Sequence, residues 1–343
     1  METEAAILIA QNKPLIIEKI KIQDKLKIGQ VLVELYVSGI CGSQIGEIDG
    51  IKGEDKYLPH LMGHEGCGRV KKVGPGVTKV KKGDKVVLHW KKGSGLNSEL
   101  PEYYLSDKKI NAGWVTTFNK FAVISENRCT AIPESVSNDE ASLFGCAVTT
   151  GFGVVENNAK LRMGESIVIL GAGGIGLNII QAANLSNAFP IIAVDLYDER
   201  LDLAKNFGAT HLINSYKEDF VSKIKEISPK LDVFVDNTGK KKIIEKGYKL
   251  IHQKGRLILV GVPKVGENIN IFSLPLHFGK TISGSYGGET NPDLDIPRYI
   301  NLLINNKISF KGLVTERYPL SEINKAISRI KNGKTVGRVL IDF

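Results

Sequence analysis

The chain has 343 residues, 42% hydrophobic and 24% charged, a length that suits about two domains and a composition that excludes general disorder. With 36 glycines and only 4 cysteines, collagen-like and disulfide-scaffold readings are excluded. The net charge of +9 comes from lysines spread along the chain; without a zinc-finger, RNA-recognition or helix-turn-helix signature it reads as a solvated surface, and no nucleic-acid partner is expected.

The first 145 residues read as β. Val/Ile runs at 31–37, 68–73, 85–88 and 121–124 are separated by Gly74-Pro75-Gly76, Gly83-Asp84 and similar breaks, the pattern of a compact sheet or barrel. Residues 91–113 are polar with little periodicity and read as a lobe or long loop. From about 147 the rhythm changes. Strands at 166–170, 191–195, 211–214, 233–236, 257–262 and 282–286 alternate with helices at 174–185, 199–207, 218–227 and 242–251. Six apolar strands with intervening helices predict an α/β fold with a doubly wound parallel sheet. Helices near 296–304 and 321–332 and a strand at 337–341 end the chain. Residues 166–194 carry no charge. Their glycines and Pro190 nevertheless cut them into strand, turn, helix and strand, so no membrane partner is expected. Residues 1–18 lack a signal-peptide pattern, which makes the cytoplasm the expected location.

Gly171-Ala172-Gly173-Gly174-Ile175-Gly176 follows a predicted strand and opens a predicted helix. In that context the motif is a dinucleotide loop. Gly171 permits the tight turn, Gly173 the approach of a pyrophosphate, and Gly176 close packing of helix on strand. The free N–H groups around Gly174 and Ile175 attract phosphate. Asp195 lies 19 residues beyond Gly176, at the end of the next strand. There it can accept from the adenosine ribose hydroxyls and repel a 2′-phosphate, which favours NAD over NADP.

The cysteines are Cys41, Cys67, Cys129 and Cys146, with no C-x-x-C pair. Cys41 precedes Gly42-Ser43, His64 sits in Gly63-His64-Glu65, and Cys146 in Gly145-Cys146-Ala147. Two thiolates and an imidazole fill three positions of a tetrahedral site and leave the fourth open. By spacing alone, three scattered residues prove little, and a lone cysteine is usually a small buried hydrophobe.

These motifs, with Gly83-Asp84-Lys85-Val86 and Gly337-Arg338-Val339-Leu340, occur in an order that covers almost the whole chain. The chain thereby resembles the zinc-dependent alcohol dehydrogenases of the medium-chain dehydrogenase/reductase superfamily. The resemblance implies a GroES-like β-rich catalytic domain from residues 1–147 and 287–343, around a Rossmann NAD-binding domain at 148–286. It implies Cys41, His64 and Cys146 as ligands of one catalytic zinc, Glu65 as an acidic neighbour of the metal, and Ser43 as the hydroxyl that takes the substrate proton. Thr150 and Val262 would lie against the nicotinamide, Arg200 beside the adenosine ribose, and Trp90 in the substrate pocket. The implied reaction is hydride transfer between NAD and a small-molecule alcohol: a primary or secondary alcohol, a polyol or a sugar derivative. A homodimer or homotetramer is implied as well.

Three departures stand out. Residues 91–128 contain no cysteine, so the family's structural zinc is not expected. Gln44 stands where an Asp usually supports the zinc histidine; its amide oxygen is expected to serve instead. Gly46 stands where a His often passes the proton to solvent. Other readings are a zinc-free quinone or enone reductase of the same fold and a non-catalytic dinucleotide-binding protein.

Overall fold

The longest strand of the computed structural model, which describes all 343 residues, is Gln30–Gly39. Its alternating apolar residues give it three antiparallel neighbours: Glu65–Val73, Phe121–Ser125 and Arg338–Asp342. The last of these draws the end of the chain onto its beginning, with Ile341 opposite Ser38 and Leu340 opposite Gly39. Accordingly one compact unit is Met1–Cys146 with Asn291–Phe343, and the other is Ala147–Thr290.

In the first unit this seven-stranded sheet runs Cys129–Ala131, Lys85–His89, Glu65–Val73, Gln30–Gly39, Arg338–Asp342, Val314–Pro319, with Phe121–Ser125 also on the long strand. Val31, Val33, Leu35, Val70, Val86, Leu88 and Ile124 fill its core. A five-stranded sheet contains His60–Leu61, Glu2–Leu8, Ile16–Ile22, Tyr103–Leu105 and Lys108–Ile110. The sequence reading passed over all five of these strands. They are short or lie at the chain start, where Gly and Pro punctuation is sparse. Two of them form a hairpin inside the stretch read as an irregular lobe.

The second unit holds a six-stranded, wholly parallel sheet, in the order His211–Asn214, Ile191–Asp195, Ile167–Leu170, Leu231–Asp236, Ile251–Leu259, Thr281–Gly284. Val168, Leu170, Ile192 and Val194 pack with Phe220, Ile224 and Ile244 of two helices. The residues between them, Ile167, Ile169, Ile191 and Ala193, are buried too. Both faces are therefore covered, and continuous apolar runs result. The strand order reverses beside Ile167–Leu170, which makes the carboxyl ends there the switch-point crevice. Two expectations shift. The fifth strand begins at Ile251, directly after the helix Lys241–Leu250, and takes an irregularity in register near Asp232. The sixth is an edge strand whose Thr281, Ser283 and Gly284 are exposed, not a buried apolar one.

Carboxylates hold the cysteine-free lobe in place. Glu126 is wholly buried. Its Oε1 accepts from the N–H groups of Thr78 (2.6 Å) and Lys79 (2.7 Å), and its Oε2 from that of Leu96 (2.7 Å). Asp293, at the start of the helix Pro292–Ile304, accepts from the Ser94 N–H and pairs with Lys79. Nearby His89 is fully satisfied as a neutral ring: one nitrogen donates to the Lys91 carbonyl and the other accepts from Thr130. Burial pushes its pKa down to about 3. His89 is thus a structural group.

Burial alone would raise the Glu126 carboxyl, but the donors of Leu96, Lys79 and Thr78 outweigh it and hold it below the ordinary value. Glu126→Ala deprives three backbone N–H groups of a charged acceptor and should cost about 3 kcal/mol near neutrality. A depressed carboxyl stabilises fully above its unfolded pKa of about 4.3. The gap between wild type and variant should therefore shrink as pH falls below that value, through the folded pKa. Denaturation curves across that range check both the size and the sign.

Candidate metal and dinucleotide sites

Three loops of the first unit converge on one point. Cys41 ends the approach from Gln30–Gly39 and caps the helix Gly42–Ile48. His64 follows Gly63, whose φ of 92° suits only glycine; a Cβ there would lie 2.3 Å from Thr117 Oγ1. Cys146 follows Gly145, where a Cβ would lie 2.4 Å from the Leu88 carbonyl oxygen. Close contacts at these two glycines thus set the positions of both following donors. The sulfurs of Cys41 and Cys146 are 3.8 Å apart, and with a His64 ring nitrogen they all lie within 4.8 Å of one another.

The donor set fits zinc. A tetrahedral ion with Zn–S bonds of about 2.3 Å spaces two thiolate sulfurs about 3.8 Å apart. His64 Nε2 is buried and lacks a hydrogen-bond partner, as a nitrogen kept for a metal must. The Cys41 thiol is held well below the usual range, first by its hydrogen bond with Cys146, then by His64 and the charge of Arg338, against the opposing effect of burial. A thiol poised toward thiolate is the form that binds metal.

Around this point, the Ser43 hydroxyl donates to Cys41 Sγ at 3.3 Å. The Trp90 ring centroid lies 6.4 Å from that of His64. Glu65 is 0% exposed and forms an ion pair with buried Arg338. Arg338, a mere landmark of a terminal motif in the sequence, belongs to the site; its fixed charge next to a buried carboxylate is visible only once the two strand ends meet. Gln44 departs from expectation. Its amide oxygen is buried and accepts no hydrogen bond, from His64 or any other group, so the support expected of it is absent. Cys67 and Cys129 lie apart from this cluster, and burial pushes each thiol up to about 12.

In the second unit Gly171 has a φ of 98°, and the helix Gly174–Leu185 starts behind Gly173. A Cβ on Gly173 would meet nothing, whereas one on Gly176 would lie 2.0 Å from the Gly171 carbonyl oxygen. The first glycine therefore leaves open space at the helix N-terminus, and the second packs helix on strand. Gly174 and Ile175 form the first turn, whose N–H groups face that space. Asp195 ties the loop to the next strand. Its Oδ2 accepts from the Ala172 N–H (2.8 Å) and its Oδ1 from Leu196 (2.7 Å). Arg200 lies 3.6 Å from the same carboxylate and over the Tyr197 ring. Thr150 is buried in the helix Ala147–Gly153. Val262 is 43% exposed, and its carbonyl faces Gly239. The sequence reading missed Asn237, whose amide donates to the Gly171 carbonyl at 3.2 Å and braces the loop. No local motif marks it.

Gly176→Ala should lower the stability of this unit by about 1–3 kcal/mol through overpacking. Gly173→Ala should leave it unchanged. Thermal melts of the two variants separate packing from vacancy; equal melting points would contradict this division of roles.

Known proteins match the chain in sequence and in fold. The family model described as an alcohol dehydrogenase GroES-like domain matches residues 27–134, and that described as a zinc-binding dehydrogenase matches residues 174–305. An S-(hydroxymethyl)glutathione dehydrogenase of Paracoccus denitrificans is 29% identical, over 99% of this chain and 100% of its own length. An alcohol dehydrogenase zinc-binding domain protein of Burkholderia ambifaria superposes with a TM-score of 0.90 at 28% identity, covering 100% of this chain and 99% of the other. The benzyl alcohol dehydrogenase of Acinetobacter calcoaceticus does so with a TM-score of 0.89, at the same identity and coverage.

Proposed function

Because the chain belongs to the zinc-dependent alcohol dehydrogenase family of the medium-chain dehydrogenase/reductase superfamily, we propose that it oxidises a small alcohol with NAD at a single zinc held by Cys41, His64 and Cys146. The observation that carries this reading is the 3.8 Å sulfur pair beside the unpartnered His64 Nε2. When bound, zinc supplies Lewis-acid stabilisation of the alcohol oxygen and NAD supplies the hydride acceptor.

The chain's own groups do the rest. Ser43 holds the proton that leaves the alcohol. Glu65 and Arg338 set the charge behind the thiolates, and Trp90 shapes the pocket. In the second unit the loop from Gly171 through Gly173, Gly174 and Ile175 to Gly176 takes the pyrophosphate. Thr150 and Val262 bear on the nicotinamide. Asp195 accepts from the ribose hydroxyls, with Arg200 beside it. Residues 148–286 are thus the NAD-binding part, and 1–147 with 287–343 the catalytic part. A zinc-free reductase or a non-catalytic binder has no use for two thiols and an imidazole so arranged. We also infer a homodimer or homotetramer. The outer edge of Thr281–Gly284 is unpaired, and exposed Phe272, Leu274 and Phe278 line one groove. None of the four cysteines forms a disulfide, which accords with a cytoplasmic location, and no helix is long and apolar enough to cross a membrane.

Elemental analysis should give one zinc per chain, since carboxylate bonds already fasten the lobe that would need a second. Cys146→Ala should lose the zinc and turnover but keep NADH affinity. A stoichiometry near two or near zero would overturn this assignment.

NAD should be preferred over NADP, because the Asp195 carboxylate would face the added phosphate. Each tenfold of preference corresponds to about 1.4 kcal/mol, and Asp195→Gly should narrow it. Equal kcat/KM for the two cofactors in the wild type would remove Asp195 from the ribose.

A further inference from the structure

Outside the thiolate site, Glu47, Asp55 and His60 of the first unit bring an oxygen, an oxygen and a ring nitrogen within 4.8 Å of one another. His60 is 7% exposed. Its Nδ1 lies 2.9 Å from the Leu61 carbonyl, which can only accept, so this nitrogen carries the hydrogen. That bond turns Nε2 toward two carboxylates, Asp55 Oδ2 at 2.8 Å and Glu47 Oε1 at 3.7 Å. Asp55 is fixed in turn: its Oδ1 accepts from the Tyr57 N–H at 2.9 Å, and its own N–H donates to Gln11 at 3.3 Å. The Glu47 side chain keeps 37% of its surface exposed. The cluster has a buried end at His60 and a solvent end at Glu47.

Glu47 shares the helix Gly42–Ile48 with Ser43. Gln44, Ile45, Gly46 and Ile48 are its buried face, while Ser43 and Glu47 are half-buried. Residues four apart lie one above the other on a helix, with Cβ atoms about 5–6 Å apart. One stripe of one short helix therefore leads from the hydroxyl on the Cys41 sulfur to the carboxylate cluster. Gly46 offers no titratable side chain, and a Cβ there would face Ile51.

We propose that Glu47, positioned by His60 and Asp55, takes the proton from Ser43 and delivers it to solvent. The proposal rests on the reading of the chain as an alcohol-oxidising enzyme. The alcohol's C–H leaves as hydride with its two electrons to NAD. The O–H proton passes to Ser43 Oγ as the hydroxyl's own proton passes through solvent to the half-exposed Glu47 carboxylate, and Glu47 releases it. Alcohol and NAD thus give carbonyl compound, NADH and one proton in solution. Glu47 is the relay group; His60 and Asp55 are positioning residues.

The test uses zinc-loaded wild type, Glu47→Gln and Glu47→Asp. Glu47→Gln should slow first-turnover NADH formation about 10²-fold, with zinc content and NADH affinity unchanged. Added imidazole buffer should restore the rate, and Glu47→Asp should retain most of it. With a pH indicator, proton release should coincide with NADH formation in the wild type and lag behind it in Glu47→Gln. In the resting protein the His60 ¹⁵N resonances should shift on Glu47→Gln. An unchanged rate, a loss that buffer does not rescue, or unmoved His60 resonances would overturn the relay alone. A wild type that holds zinc yet reduces NAD with no alcohol would overturn the functional reading and the relay together.

Discussion

The meeting of Glu65 and Arg338 is the contact on which the first unit turns. The two residues come from strands nearly the whole chain apart in sequence, and each strand pairs with Gln30–Gly39 at its C-terminal end. Gly39 makes room between them: a Cβ there would sit 2.8 Å from the Glu65 carboxyl carbon. Both charges are buried, so neither tolerates loss of the other; removing one partner of such a pair costs about 3–5 kcal/mol. Cys41 lies two residues beyond Gly39. The pair thus fixes the strand end that delivers the first thiol.

Charge gives this arrangement its chemistry. With a metal bound, Cys41 and Cys146 would be thiolates, and with the Glu65 carboxylate they would place three negative charges in a buried space. Arg338 supplies one positive charge, and burial presses its pKa down while Cys41 opposes that effect. A divalent cation would close the balance. The same field draws the Cys41 thiol toward thiolate, so the metal site and the ion pair behind it form one electrostatic unit. The dinucleotide loop depends on a different physics. It requires empty space at Gly173, an absent side chain at Gly176, and a carboxylate at Asp195 that braces the loop through the Ala172 N–H.

The lobe after Trp90 is fastened to the rest of its unit by carboxylates. Glu126 accepts from the backbone N–H groups of Thr78, Lys79 and Leu96, and Asp293 from that of Ser94. A buried carboxylate with several such donors pins a loop much as a bound ion does, with bonds that are individually weaker but charge-assisted.

The sequence by itself determined whatever depends on local pattern. Continuous apolar strands alternating with helices specified the parallel sheet, because burial on both faces leaves no polar alternation to disguise it. The loop Gly171–Gly176 was legible because each glycine answers a backbone constraint within a few residues. Cys41, His64 and Cys146 were identifiable as donors, yet only their tertiary approach to within 4.8 Å of one another sets them apart from ordinary buried cysteines. Tertiary structure alone decided the partner of Glu65, the unpartnered amide of Gln44, the carboxylate anchors of the lobe and the stripe from Ser43 to His60. The reason is physical: each is a pairing of polar groups across long stretches of chain, and the strength of such a pairing comes from shared burial, which periodicity and spacing do not encode.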